Sequence, residues 1–175
     1  MKFRTWLGSL VIQALLIGIG GPALANAAPA SDRLALQHFF CNIGYTPDAC
    51  QRQIAILKTA VARVPTDALG EWTWVLVRSQ DWKRFWKMLK VDTNSPALTC
   101  LEKRETFIEE VLVADVPDRA KELIGRWHMG MHELLNTAVE HEMAHALCHT
   151  RDEKTATDVA GMLEHGRPIR CEAGL

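Results

Sequence analysis

The sequence predicts a single α+β domain that is mostly helical and carries a small antiparallel or mixed sheet. Several segments repeat apolar residues at helical spacing, whereas shorter segments are rich in β-branched and aromatic residues. The chain of 175 residues is 48% apolar and 23% charged, which is typical of a folded protein and excludes a disordered one. No internal repeat, charge block or linker divides it, so residues 26–175 are predicted to form one domain.

The first 25 residues are predicted to be a secretory signal peptide. Lys2 and Arg4 precede an apolar run over residues 6–19, and small-residue sites that end at Ala25 and Ala27 follow. This run is shorter than the roughly 20 apolar residues of a membrane span, and no later stretch is long and apolar enough. We therefore expect cleavage near Ala25 or Ala27, a secreted or periplasmic location, and no membrane attachment after cleavage.

The first elements of the predicted domain are a helix and a strand. Thr46 and Pro47 form an N-cap followed by a first-turn proline, which is typical of a helix start. Apolar residues follow at helical spacing as far as Val64, and Pro65 ends the helix. Residues 72–77 (WTWVLV) combine aromatic and β-branched side chains and predict a strand.

A short helix and two further strands are predicted next. The helix begins near Asp81, and a turn cluster over residues 92–96 separates it from strands over residues 97–101 and 106–113. The tryptophans in this part of the chain recur at strand and helix spacing, so we expect them in the core rather than in a ligand site. They are Trp72, Trp74, Trp82 and Trp86.

The last third of the chain predicts three helices. The first begins at Pro117, and the second covers residues 131–148 after a bend at Gly130. The third is predicted to run from Thr150 to about Glu164.

All five cysteines belong to the part of the chain that would remain after export. Export permits disulfides, and an odd number leaves at least one thiol free or paired between chains. Cys41 and Cys50 are close in sequence with turn residues between them, which favours a local bridge, and Cys148 and Cys171 could tie the tail to the long helix. The sequence leaves the connectivity open, including the place of Cys100. Since no CxxC pair occurs, a zinc ribbon is excluded.

The long helix contains the motif HExxH, formed by residues 141–145. His141 and His145 are four residues apart and lie on one helix face, about 6 Å apart along the axis, so both imidazoles can reach one Zn²⁺ ion. Glu142 lies on the flank of this stripe, where it can act as a general base. The alternative is a solvated amphipathic helix. Apolar residues predict a buried back roughly opposite the histidines: Leu135, Val139, Met143 and Ala146.

With this motif the chain resembles the zincin metallopeptidases over the HExxH helix and the following hairpin, about 30 residues of 175. It does not resemble the metzincin branch, because Cys148 and Arg151 occupy the positions of that branch's glycine and third histidine. The resemblance implies a Zn²⁺ ion held by His141, His145 and a carboxylate of the next helix, with Glu142 as general base. It also implies hydrolysis of a peptide or protein substrate.

Hairpin geometry selects among the candidate carboxylates. Thr150 and Glu153 have the spacing of a capping box, so the next helix is predicted to start at Thr150. His145 lies about five residues before that turn, and an antiparallel partner at the same height lies about six or seven residues after it. Asp158 is therefore the favoured third ligand, and Glu153 and Glu164 remain as alternatives.

Several further residues have a predicted role. Tyr45 and His149 are candidates for stabilising a developing oxyanion, although His149 is favoured as a helix C-cap. His128 and His132 are favoured as a surface pair rather than a second metal site. In zincins an edge strand beside the active helix pairs with extended substrate, and residues 106–113 are a candidate for it.

Two functions follow as hypotheses. The first is a secreted or periplasmic zinc metallopeptidase. The second is a non-catalytic, exported, disulfide-stapled binding module on a zincin-like scaffold, which would leave Glu142 without a role. A formal net charge of −1 argues against a nucleic-acid partner in either case.

Overall fold

The computed structural model describes residues 33–89 and 94–171; the predicted signal peptide lies outside these residues. Over the described ranges the chain is α+β, with five α-helices and one four-stranded mixed sheet, which confirms the predicted class. The elements follow in the order β1 (Gln37–Cys41), α1 (Pro47–Val61), β2 (Trp72–Val77), α2 (Ser79–Leu89), β3 (Ala97–Cys100), β4 (Glu105–Glu109), α3 (Pro117–Trp127), α4 (Met131–Cys148) and α5 (Glu153–Glu164).

The helix starts follow local capping chemistry. At α1, the Thr46 hydroxyl accepts a hydrogen bond from the Ala49 backbone N–H over 3.3 Å, as the sequence predicts. At α5 the predicted start at Thr150 is wrong. Asp152 is the N-cap, and its carboxylate accepts a 2.7 Å hydrogen bond from the backbone N–H of Thr155.

The sheet has the strand order β1-β2-β4-β3, in which β1, β2 and β4 are parallel and β3 runs antiparallel to β4. The candidate substrate strand over residues 106–113 is corrected in two respects. β4 ends at Glu109 and is followed by a 3₁₀ turn, and it is paired on both sides, so it offers no free edge. The edge strand that contacts α4 is β3.

The core lies on both faces of the sheet because the side chains of β2 alternate. Trp72, Trp74 and Leu76 point towards α1 and α4, whereas Val75 and Val77 point towards α2. The predicted core tryptophans are all at most 5% exposed, which confirms their place: Trp72, Trp74, Trp82 and Trp86.

Helix α4 is buried on the side that the sequence predicts. The four residues of its apolar back, at most 9% exposed, belong to the core between α4 and the sheet: Leu135, Val139, Met143 and Ala146. On another side α4 packs against α5 through a small separate cluster of Ala144, Ala156 and Val159. The histidine stripe is therefore held between the main core and α5.

Two disulfides are present, Cys41–Cys50, the pairing that the sequence favours, and Cys148–Cys171, one that it allows. Cys100 is a free thiol. These bridges indicate an extracellular or otherwise oxidising environment. Among the described residues, none of the helices has the length and apolar character needed to cross a bilayer.

Candidate metal centre

Three side chains converge where α4 meets the start of α5. His141 and His145 are one helical turn apart on α4, and a four-residue turn, residues 149–152, returns the chain so that α5 begins with Glu153 beside them. The two Nε2 atoms are 3.2 Å apart. Glu153 Oε2 lies 3.0 Å from Nε2 of His141, and Oε1 lies 3.7 Å from Nε2 of His145.

These distances fit a shared divalent ion. Zinc with nitrogen and oxygen ligands at about 2.0–2.2 Å and tetrahedral angles places neighbouring ligand atoms roughly 3.3 Å apart. The three observed separations, 3.0, 3.2 and 3.7 Å, surround that value. Across the described part of the chain, the metal-ligating side chains that come together in this way are His141, His145 and Glu153. Imidazole and carboxylate also suit other divalent ions, so the geometry supports a metal site and leaves the metal open.

The α4–α5 turn fixes the proton on His145. Its Nδ1 lies 2.9 Å from the carbonyl oxygen of Thr150, and because a carbonyl can only accept, Nδ1 carries the proton. In the neutral imidazole Nε2 then carries a lone pair, which faces His141 and Glu153. A backbone carbonyl that orients a ligand ring in this way is the usual outer-shell support of a metal site.

Burial also disfavours the charged form of the second histidine. Burial lowers the pKa of His141, and the neighbouring His145 lowers it further, whereas Glu153 acts in the opposite direction. A lowered imidazole pKa favours the neutral ring, and only the neutral ring offers a lone pair to a cation.

Glu142 is buried on the flank of the histidine stripe, with 4% of the residue exposed. Burial raises the pKa of its carboxyl to about 8; hydrogen bonds from Thr99 lower that pKa in part, and the nearby charge of Glu153 raises it further. A divalent cation at the histidines would favour the ionised carboxylate. Glu142 is thus a carboxyl whose proton affinity lies near neutral pH, as general-base chemistry requires.

A partly buried hydrogen-bond chain under Glu142 is a feature that the sequence pattern does not reveal. The indole Nε1 of Trp72 donates to Thr106 Oγ1 over 3.0 Å, and Thr106 Oγ1 is 2.9 Å from Thr99 Oγ1. The Thr99 hydroxyl donates to the main-chain carbonyl of Glu142 over 3.3 Å. Since an indole can only donate, the Thr106 hydroxyl is free to donate to Thr99, and Thr99 to Glu142. The two threonines are cross-strand partners of β3 and β4, which only the strand pairing reveals.

The preference for Asp158 as third ligand is not supported. Its carboxylate lies 2.8 Å from Lys154 Nζ on the exposed side of α5. Successive helical residues are about 100° apart, so Asp158 is about 200° round the helix from Ala156, which packs against α4. Glu164 lies at the far end of α5, with its carboxylate 65% exposed and 3.5 Å from His165.

Glu153 reaches the histidines for two reasons. It lies about 60° from Ala156 on the helical wheel, near the face of α5 that packs on α4. It also has no capping role, because Asp152 caps α5 and the Thr150 hydroxyl accepts a hydrogen bond from the Asp152 N–H over 3.1 Å. The predicted capping box between Thr150 and Glu153 does not form.

The remaining candidates lie elsewhere. Tyr45 is half-buried, its hydroxyl finds no hydrogen-bond partner among the described residues, and the charged groups around it are Glu110, Arg78 and Asp81 rather than the histidines. His149 is the exposed, left-handed C-cap residue of α4, at φ 46°. Two histidines are exposed as expected of a surface pair: His128 and His132.

No protein-family model, curated protein or solved structure matches the chain. Its function therefore has to be inferred from the geometry of the site itself.

Proposed function

We propose that the protein is an exported, zinc-dependent peptidase of zincin type, with Glu153 rather than Asp158 as the carboxylate ligand. The observation that carries this proposal is the convergence of His141 Nε2, His145 Nε2 and the Glu153 carboxylate within 4.8 Å of one another. A buried carboxyl, Glu142, comes next to the first histidine in the sequence, and the charge of Glu153 acts on it. The donor set and an adjacent base are the two parts that metal-assisted hydrolysis needs.

Each residue would have a distinct task. When bound, Zn²⁺ supplies Lewis-acid chemistry: it polarises a carbonyl and makes water a better nucleophile at neutral pH. Glu142 would accept the proton of the attacking water at its carboxylate and donate it to the departing amine. Thr99 lies beneath Glu142 and would hold the glutamate in place from the β3 side.

The edge strand β3 is the proposed place of the substrate. The resemblance to zincins implies an extended peptide paired with an edge strand beside the active helix. β3 (Ala97–Cys100) is at the edge of the sheet and contacts α4, so its main-chain groups are suitably placed, except that the Thr99 N–H already binds the Glu142 carboxyl. The two disulfides are consistent with an enzyme that acts in an oxidising compartment, to which the predicted signal peptide would export the chain.

The non-catalytic binding module remains the alternative, and one observation weakens it. The four tryptophans weighed as its ligand surface are buried in the core, Trp72, Trp74, Trp82 and Trp86, although Trp127 is 43% exposed. A purely structural metal site also has no use for a buried carboxyl at Glu142.

Metal content and hydrolysis together test the proposal. Chain 26–175 is purified with its disulfides intact, its zinc is measured by elemental analysis, and cleavage of a random peptide library is followed by mass spectrometry with and without a chelator. We expect about one zinc per chain and cleavage that chelation abolishes and zinc restores.

Three variants separate the roles. Glu142→Gln should keep its zinc and lose about 10²–10⁴-fold in turnover, whereas His141→Ala should lose both metal and activity. Glu133→Gln, an exposed change in the first turn of the same helix, is the matched control and should behave as the wild type. Zinc without cleavage in the wild type would favour the binding module, and equal zinc in the wild type and His141→Ala would contradict the metal site.

A further inference from the structure

Helix α5 supplies a metal ligand but is attached to the rest of the protein mainly along one helix. It packs mainly on α4, and the fully buried residues of that interface are Ala144, Ala156 and Val159, all small. Such side chains bury little apolar surface compared with the tryptophan-rich core of the sheet. Glu153, the first residue of α5, has a side chain that is 79% exposed. Its position therefore depends on where the backbone of α5 lies.

The C-terminal tail, residues 166–171, returns along this helix and is joined to the end of α4 by the Cys148–Cys171 disulfide; we call this segment the strap. The twelve residues of α5 carry the chain about 18 Å away from the end of α4. The chain reverses at Gly166, where the Arg167 N–H donates to the Met162 carbonyl over 2.9 Å. Cys171 nevertheless has its Cα 5.2 Å from that of Cys148, the last residue of α4. The tail therefore runs back along α5 to the end where Glu153 lies.

The strap contacts the helix that it encloses. Ile169, in the returning tail, packs against the cluster formed by Ala144, Ala156 and Val159. Helix α5 is thus held between α4 on one side and the tail on another, and the bridge closes the loop within a few residues of Glu153. Without the bridge, the four-residue turn between the two helices is the remaining covalent connection, and α5 can pivot about it.

We propose that the Cys148–Cys171 disulfide positions Glu153 for metal binding, so that the metal affinity of the site depends on this bridge. The inference rests on the proposed metal site but not on catalysis. Both cysteines are positioning residues: they bind no metal themselves and act through Glu153. The other bridge, Cys41–Cys50, joins the end of β1 to α1 and has no such connection to the site.

Matched double variants test the proposal through the binding of Zn²⁺ alone. Cys148→Ser with Cys171→Ser is compared with Cys41→Ser with Cys50→Ser, and Zn²⁺ affinity is measured by competition with a chromophoric chelator. Loss of outer-shell support typically weakens metal binding by about 10–100-fold, and we expect that effect for the first pair and unchanged affinity for the second. Equal affinity in both double variants would overturn the proposal.

A double-mutant cycle separates positioning from a general loss of structure. In a Glu153→Ala background, removal of the Cys148–Cys171 bridge should have no further effect on Zn²⁺ affinity, because the ligand that the bridge positions is already absent. If the two changes instead weaken Zn²⁺ binding by factors that multiply, the bridge acts on the histidines or on the whole fold, and the proposal is contradicted. The Co²⁺ absorption spectrum is a second readout and should change in the same way for bridge loss as for Glu153→Ala.

One further variant covers the case in which the chain without the bridge does not fold. Ile169→Ala keeps the disulfide and removes the contact of the strap with α5, so it should weaken Zn²⁺ binding, and unchanged affinity would overturn the proposal. Failure of the inference differs from failure of the proposed function. If metal binding depends on the bridge but no hydrolysis is found, only the peptidase is contradicted. If hydrolysis depends on metal but Zn²⁺ affinity does not depend on the bridge, only the inference is contradicted. Absence of metal binding contradicts both.

Discussion

Replacing Glu153 by alanine should weaken zinc binding by about two orders of magnitude. Its two carboxylate oxygens lie 3.0 and 3.7 Å from the histidine Nε2 atoms, so both imidazoles lose their shared neighbour. Zinc sites with four protein ligands bind with about 10–16 kcal/mol, which is about 3 kcal/mol for each ligand. Since each 1.4 kcal/mol is a factor of ten, the loss of one ligand corresponds to roughly 100-fold in affinity.

Asp158→Ala is the control for this prediction. Both changes remove one carboxylate from α5, but Asp158 faces Lys154 on the exposed side of the helix. A competition titration against a chromophoric chelator gives the zinc affinity of each variant, with circular dichroism as a check of folding. Wild-type affinity in Asp158→Ala and a roughly 100-fold loss in Glu153→Ala is the expected pair of results. The reverse pattern, or equal effects, would refute the assignment of the third ligand.

Three further predictions concern stability. Thr99→Val should lower the free energy of unfolding, measured by urea titration, by about 1–3 kcal/mol, because it breaks the hydroxyl chain to Glu142. Thr99→Ser keeps the hydroxyl and should retain most of the wild-type stability. A wild-type value for Thr99→Val would argue against the chain. Glu109→Ala removes the bidentate partner of the largely buried Arg119, at 2.9–3.1 Å, and leaves Glu122, at 2.8 Å and 43% exposed, as its remaining carboxylate. The same titration should show a loss of about 3 kcal/mol, and a loss below about 1 kcal/mol would mean that the pair contributes little. Zinc at 100 times its dissociation constant should stabilise the wild type by about 2.7 kcal/mol in calorimetry and His141→Ala not at all; an equal shift in both proteins would place the ion elsewhere.

Features that depend on local periodicity are the ones that the sequence predicts well. The bounds of α4, residues 131–148, follow from apolar spacing and from the glycine before it, and its buried back follows from the same spacing. The histidine pair is equally local, because positions four apart on a helix always share a face. The cap at Thr46 was identifiable for the same reason.

The choice of a third ligand shows where such reasoning is incomplete. The preference for Asp158 depends on its position along the axis of α5 and ignores its position around that axis. Ala156 and Val159 define the face of α5 that packs on α4. Placing the cap at Thr150 instead of Asp152 then gave Glu153 a task that it does not have. On the helical wheel Glu153 lies about 60° from Ala156 and Asp158 about 160°, whereas the choice of Asp152 as cap depends on the fold of the turn.

Other features depend on contacts between distant segments and could not be obtained locally. The pattern of a half-buried strand is the same at the centre and at the edge of a sheet, so residues 106–113 are a candidate edge strand by sequence, and only the pairing of β4 with β2 and β3 excludes them. The role of Thr99 depends on the register of β3 with β4 and on the contact of β3 with α4. No residue pattern within either segment signals it.

The most direct test of the metal centre is anomalous diffraction at the zinc edge from crystals of the oxidised chain. A single peak is expected about 2.0–2.2 Å from Nε2 of His141, Nε2 of His145 and a carboxylate oxygen of Glu153. A zinc ion held by other residues, or no peak at this place in a zinc-supplemented crystal, would contradict the account.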